Sequence, residues 1–138
     1  MAYKRFEDLP VWQAAIELAD KIYDLTDNFI LKSSLRNQLE SSALSVSNNI
    51  AEGFERGTTK ELLAFLYIAR GSAGETRSML RFIGHRKDYT PLRISLPPLV
   101  ELTESCCRQI QAWAASLQNS AIKGQRHRTA KHGPESQI

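Results

Sequence analysis

Cysteine is nearly absent from this sequence: there are two, Cys106 and Cys107, side by side. Neighbouring cysteines cannot staple a small fold, so a disulfide scaffold is excluded and a reducing cytoplasm is the expected setting. Long apolar runs are missing too. The longest, Leu62–Ala69, has eight residues, against the roughly 18 that a membrane span requires. No apolar stretch follows the basic pair in Met1–Asp8, so a secretory signal is not expected. No segment alternates with period two, so strands are not expected. Histidine is scarce: His85 falls in a basic loop, and His127 and His132 near the end of the chain. No Ser/His/Asp or Cys/His set can be assembled from them, and there is no Cys-x-x-Cys, His-x-x-x-His or Glu-x-x-His repeat. Neither an enzyme, a metal nor another cofactor is therefore expected.

What is present is an ordinary core composition. The 138 residues are 42% hydrophobic and 24% charged, which predicts one packed helical domain and a tail. Leu9, Trp12, Ile16, Ala19, Tyr23 and Ile30 step along a helix over about 9–30, with Val11, Ala15, Leu18, Ile22, Leu25 and Phe29 as a second stripe. Asp8 is the expected N-cap. A second helix, about 32–53, carries Leu35, Leu39, Ala43, Val46 and Ile50 beside many Ser and Asn residues. Those mediocre helix formers suggest a close neighbour or a polar face with a function. Gly53 and Gly57 are expected to bracket a loop, where Arg56 either presents charge or pins the turn with Glu52. Thr58 and Glu61 form a capping box for a third helix, about 59–84. Its Gly71 and Gly74 cost helix propensity and suggest close approach of another backbone. A fourth helix, about 97–119, carries Leu99, Thr103, Cys106, Ile110, Trp113 and Leu117 at helical spacing. The two tryptophans and Cys106 are read as core residues. Short connections predict an all-α, antiparallel up-down-up-down four-helix bundle over 1–119, followed by a flexible basic tail over 120–138.

The net charge of +3 hides its distribution. Residues 1–69 sum to −3, 70–93 to +4, 94–119 to −1 and 120–138 to +3. Arg70, Arg77 and Arg81 share one helical face, and Arg86 and Lys87 extend it. They are expected to face solvent or a pore, without acidic partners in the same subunit. Lys123, Arg126, Arg128 and Lys131 form a basic arm with no aromatic residue in the tail to stack on bases. Such cations follow a line of phosphates through charge-assisted bonds and released counterions, which points to RNA or DNA as partner.

Three stretches carry a resemblance: Phe6-Glu7-Asp8-Leu9-Pro10-Val11-Trp12-Gln13, Val46-Ser47-Asn48-Asn49-Ile50-Ala51-Glu52-Gly53, and Phe65-Leu66-Tyr67-Ile68-Ala69-Arg70-Gly71-Ser72. In this order, and over about residues 3–118, they resemble the bacterial four helix bundle protein family, first described as a protein encoded within intervening sequences of 23S ribosomal RNA genes. The resemblance implies an antiparallel bundle assembling into a barrel-shaped homopentamer. Phe54-Glu55-Arg56-Gly57-Thr58 and the run Gly71–Leu80 look like one branch, the accessory variability determinant of diversity-generating retroelements. That branch implies a reverse transcriptase and nucleic acid as partners, in mutagenic copying of a template RNA.

Overall fold

The computed structural model describes residues 3–127, with side chains to residue 120. Four helices account for most of it: α1 (Pro10–Asn28), α2 (Ser33–Glu55), α3 (Thr59–His85) and α4 (Leu96–His127). A 3-10 turn, Phe6–Asp8, precedes α1, and a 3-10 segment, Lys87–Ser95, joins α3 to α4. No strand occurs among the described residues. Each helix packs on its chain neighbours, and α1 meets α4 to close the ring.

The ends of the helices have local causes. Asp8 does not cap α1: it belongs to the 3-10 turn, and its carboxylate accepts from Arg5 at 3.1 Å. The N-cap is Leu9, and Pro10 opens the helix, where its missing N–H costs nothing. α1 stops at Asn28, so Ile30, read from spacing as part of the apolar stripe, is 95% exposed in the connector. Of the two stripes on α1, the one through Val11, Ala15, Leu18, Ile22 and Leu25 is buried. On the other, Leu9 and Ala19 are buried, whereas Ile16 is exposed and Trp12 is half-buried edge-on to Phe6 at 5.3 Å. Thr58 caps α3 as expected: its hydroxyl accepts from the Glu61 N–H at 3.2 Å and lies 2.8 Å from the Glu61 carboxylate.

Gly53 is not the edge of a loop. α2 runs through it to Glu55, and the turn shrinks to 56–58, with Gly57 at φ +91° as its left-handed residue. Gly53 is buried instead because α3 leaves no room: a Cβ there would lie 2.7 Å from Phe65 Cβ. The serines of α2 have a similar reason. Ser42 and Thr76 hydroxyls meet at 2.8 Å inside the core, and Ser45 and Ser72 at 2.9 Å. As α2 numbers rise along this seam, α3 numbers fall, so the two helices run in opposite directions. Thr103 satisfies its buried hydroxyl locally, donating to Val100 O at 2.6 Å.

The connection from α3 to α4 is more structured than a loop. Tyr89 and Leu92 are buried in it, and the Tyr89 hydroxyl accepts from the Lys32 N–H at 3.2 Å, tying the segment to the start of α2. α4 begins one residue earlier than expected, and it continues past the expected boundary at 119 to His127. The last apolar residue of its stripe therefore does not mark the end of its helical backbone.

The close approach at Gly53 yields a first test. Gly53→Ala should destabilise the protein by about 1–3 kcal/mol, because the obstructing atom is a Cβ fixed to the α3 backbone and cannot swing aside. Urea unfolding measures this; a gain in stability, as Gly→Ala normally produces inside a helix, would contradict the close packing.

Candidate nucleic-acid interface

α3 presents its arginines along the exposed edge that flanks its buried stripe, Leu62, Leu66, Ala69, Ala73, Leu80 and Ile83, on the side toward α4. The individual residues differ. Arg70 is exposed, and its guanidinium lies over the Tyr67 ring at 5.6 Å. Arg77 is not free of acidic partners. It reaches across to α4 and pairs with Glu104 at 3.4 Å, contrary to the expectation from the sequence. The cause is register: Arg77 stands on the α4-facing edge of α3, opposite Glu104. The pair is half-exposed, so it contributes only about 0–1 kcal/mol, yet it offsets the charge that Arg77 can offer a ligand. Arg86 is likewise engaged, donating to both oxygens of Asp88 at 3.0 and 3.1 Å. That fork holds the Asp88 carboxyl below the usual carboxylate range, chiefly through the hydrogen bond from Arg86.

Arg81 and Lys87 are exposed and have no ion-pair partner among the described residues. Lys123 and Arg126 lie on the helical backbone of α4, with side chains outside the described residues; Arg128 and Lys131 lie wholly outside them. The structure thus brings Arg70, Arg77 and Arg81 together on one helix edge and continues it with Arg86 and Lys87.

Two further basic side chains join this edge that the sequence reading does not select. His85 is the last residue of α3 rather than a loop residue, one turn beyond Arg81. Arg93, in the 3-10 segment, lines the same groove as Arg81 and His85. The spacing of four between Arg81 and His85 is a usable signal. Nothing in the sequence places Arg93, which reaches the groove only because Tyr89 and Leu92 fold its segment onto the bundle.

Arg56 has a structural role. It pairs with Glu52 at 3.2 Å and Glu61 at 3.5 Å, and its guanidinium covers the Phe65 ring at 5.0 Å. These contacts pin the α2–α3 turn. The glycines of α3 behave unlike Gly53. A Cβ at Gly71 or Gly74 would meet nothing within 4 Å, so packing inside this chain does not require either one. On α3, Ile68 and Phe82 are about half exposed, at 52% and 51%.

Among the described residues, no three His, Cys, Asp or Glu side chains are placed to hold a metal ion. No helix among them is long and apolar enough to cross a membrane. Cys106 is in the core, and burial pushes its thiol up to about 11. Burial also raises the Cys107 thiol, against the opposing pull of Arg77 and Arg70. Both shifts favour the thiol over the thiolate.

The Cys106 shift implies a pH dependence. The folded state holds the proton more tightly than the unfolded chain, whose thiol titrates near 9.0. This contribution is therefore complete below pH 9.0 and is lost as pH rises through about 11. Urea midpoints should fall more steeply over that range for the unaltered protein than for Cys106→Ala. Identical slopes would contradict the burial of the thiol.

No curated protein resembles the chain closely enough to count as a match. The model of one family does match, across residues 7–112, a span running from the first 3-10 turn to the middle of α4 and containing the arginine edge. By that match the chain belongs to the 23S rRNA-intervening sequence protein family.

Proposed function

We propose that this protein is a non-enzymatic accessory factor that binds RNA or DNA. It does so as an up-down-up-down bundle assembled into a cyclic homo-oligomer, five subunits by its resemblance. In this reading it works in the cytoplasm beside the reverse transcriptase of a diversity-generating retroelement, during mutagenic copying of a template RNA, and needs no cofactor. The observation that carries the nucleic-acid part is the run of exposed cations along α3 and into the 3-10 segment, of which Arg70, Arg81 and Lys87 have no acidic partner among the described residues. The family name, which links the protein to an intervening sequence of 23S rRNA, agrees with a nucleic-acid setting.

The assembly part is supported by the outer side of α3. Ile68 and Phe82 are exposed there, and open space surrounds Gly71 and Gly74. A second subunit burying this surface gives the glycines the reason that the single chain lacks. Gly71→Leu should leave helicity unchanged, because nothing within the chain obstructs it, but should lower the mass found by sedimentation equilibrium. A 15.6 kDa species for the unaltered chain at micromolar concentration would overturn the oligomer.

A scaffold that binds protein without nucleic acid is the second reading. It is favoured by the neutralisation of Arg77 and Arg86 and by the exposed apolar side chains Ile30 and Ile94. Charge neutralisation separates the two. The quadruple variant K123Q/R126Q/R128Q/K131Q removes the four basic groups of residues 120–138 while keeping the chain length, which matters because α4 extends into this stretch. On the nucleic-acid reading it binds RNA more weakly at low salt, with a shallower dependence of log affinity on log salt. Unchanged affinity and slope would show the tail to be uninvolved; absence of salt-dependent RNA binding by the unaltered protein would favour the scaffold.

A further inference from the structure

Where α3 ends and α4 begins, the bundle holds a groove of about 580 Å³. Its apolar lining includes Leu96, Pro97 and Val100, and Arg81, His85 and Arg93 line it together with Glu101 and Glu104. Counting charges in the lining alone misleads, because both carboxylates are already engaged from outside it. Glu104 pairs with Arg77 at 3.4 Å, and Glu101 with Arg108 at 3.0 Å. No carboxylate among the described residues lies within ion-pair distance of Arg81, His85 or Arg93. Four arginines against two glutamates leave the neighbourhood at +2 with His85 neutral.

The helix ends do not decide the sign. α3 terminates and α4 starts at the same place, so their opposite partial charges offset. The first turn of α4 also offers few donors: Leu96 N–H bonds to Arg93 O, and Pro97 and Pro98 have no N–H. An anion in this groove must be held by side chains. Two guanidiniums beside an apolar lining suit a phosphate that is joined to an apolar body, since arginine meets phosphate through paired charge-assisted bonds.

The geometry points to this groove as a phosphate subsite that seats one nucleotide of a single-stranded nucleic acid, with its phosphate on Arg81 and Arg93 and its sugar and base over Leu96, Pro97 and Val100. The identity of the phosphate's carrier rests on the nucleic-acid reading above; the phosphate site itself rests on the unpaired arginines. A duplex keeps its bases stacked inside and cannot lay one on this lining, so single strands are the preferred form. His85 adds a donor in the same groove.

The test uses the full chain and two double variants with equal loss of charge, R81Q/R93Q in the groove and K4Q/R36Q on exposed positions elsewhere. Inorganic phosphate, at ionic strength matched with chloride, should raise the melting temperature of the unaltered protein and of K4Q/R36Q but not of R81Q/R93Q. A single-stranded oligothymidylate should bind R81Q/R93Q about tenfold more weakly, from the loss of charged hydrogen bonds. The salt slope should fall by about 0.7 for the one phosphate released. The conservative variant R81K/R93K keeps the charge and loses the paired geometry, so its affinity should lie between the two. Equal oligonucleotide affinity in R81Q/R93Q and K4Q/R36Q overturns the groove while the nucleic-acid reading stands. If the full chain binds no oligonucleotide, that reading falls, and a phosphate-dependent melting shift lost only in R81Q/R93Q still supports the anion subsite. Absence of both effects overturns the subsite as well.

Discussion

The contact between α2 and α3 sets the arrangement of everything around it. At one end Gly53 lets the α3 backbone come so close that a single added carbon would strike Phe65. Further along, the paired hydroxyls of Ser42 and Thr76 and of Ser45 and Ser72 cross the same seam. The Ser42 and Thr76 hydroxyls also bond carbonyls of their own helices, Leu39 O and Ser72 O, so the close approach at Gly53 is the firmer constraint on register and the hydroxyl pairs add directional bonds across the seam. These contacts hold α3 at a fixed height and rotation. Register then decides which residues of α3 meet α4 and which meet solvent.

Surface chemistry follows from that rotation. Arg77 is turned toward α4 and finds Glu104, while Arg70 and Arg81 have no acidic partner among the described residues. Four residues past Arg81, His85 ends the helix, and the 3-10 segment folds back because Tyr89 and Leu92 are buried. The fold back carries Arg93 to the groove that Arg81 and His85 already line. Cations separated by 12 positions in the chain thereby share one site.

Much of the fold is legible in the sequence, and the exceptions have physical causes. The apolar stripes of α1 and α4 and the Thr58–Glu61 cap are local signals, and they locate the starts of their helices to within one residue. Gly53 is ambiguous because a glycine near a turn carries the same letter whether it frees the backbone or admits a neighbour. The 3-10 segment carries no 3.6-residue period, so its letters read as a loop. The polar stretch at the end of α4 has no apolar face, yet its backbone stays helical to His127. On the candidate interface, the clustering of arginines on α3 is visible as helical spacing. The pairings of Arg77 and Arg86 and the arrival of Arg93 are not, since each depends on how separate elements meet.

Contact between nucleic acid and the basic edge of α3, with the segment after it, is the claim on which the functional reading depends. Photo-crosslinking the full chain to a single-stranded RNA that carries a photoreactive uridine, then mapping the modified peptides, tests it directly. Crosslinks should concentrate between Arg70 and Arg93 and at the start of α4. Crosslinks confined to α1 and the outer side of α2, or none above the level seen with an acidic polymer in place of RNA, would contradict it.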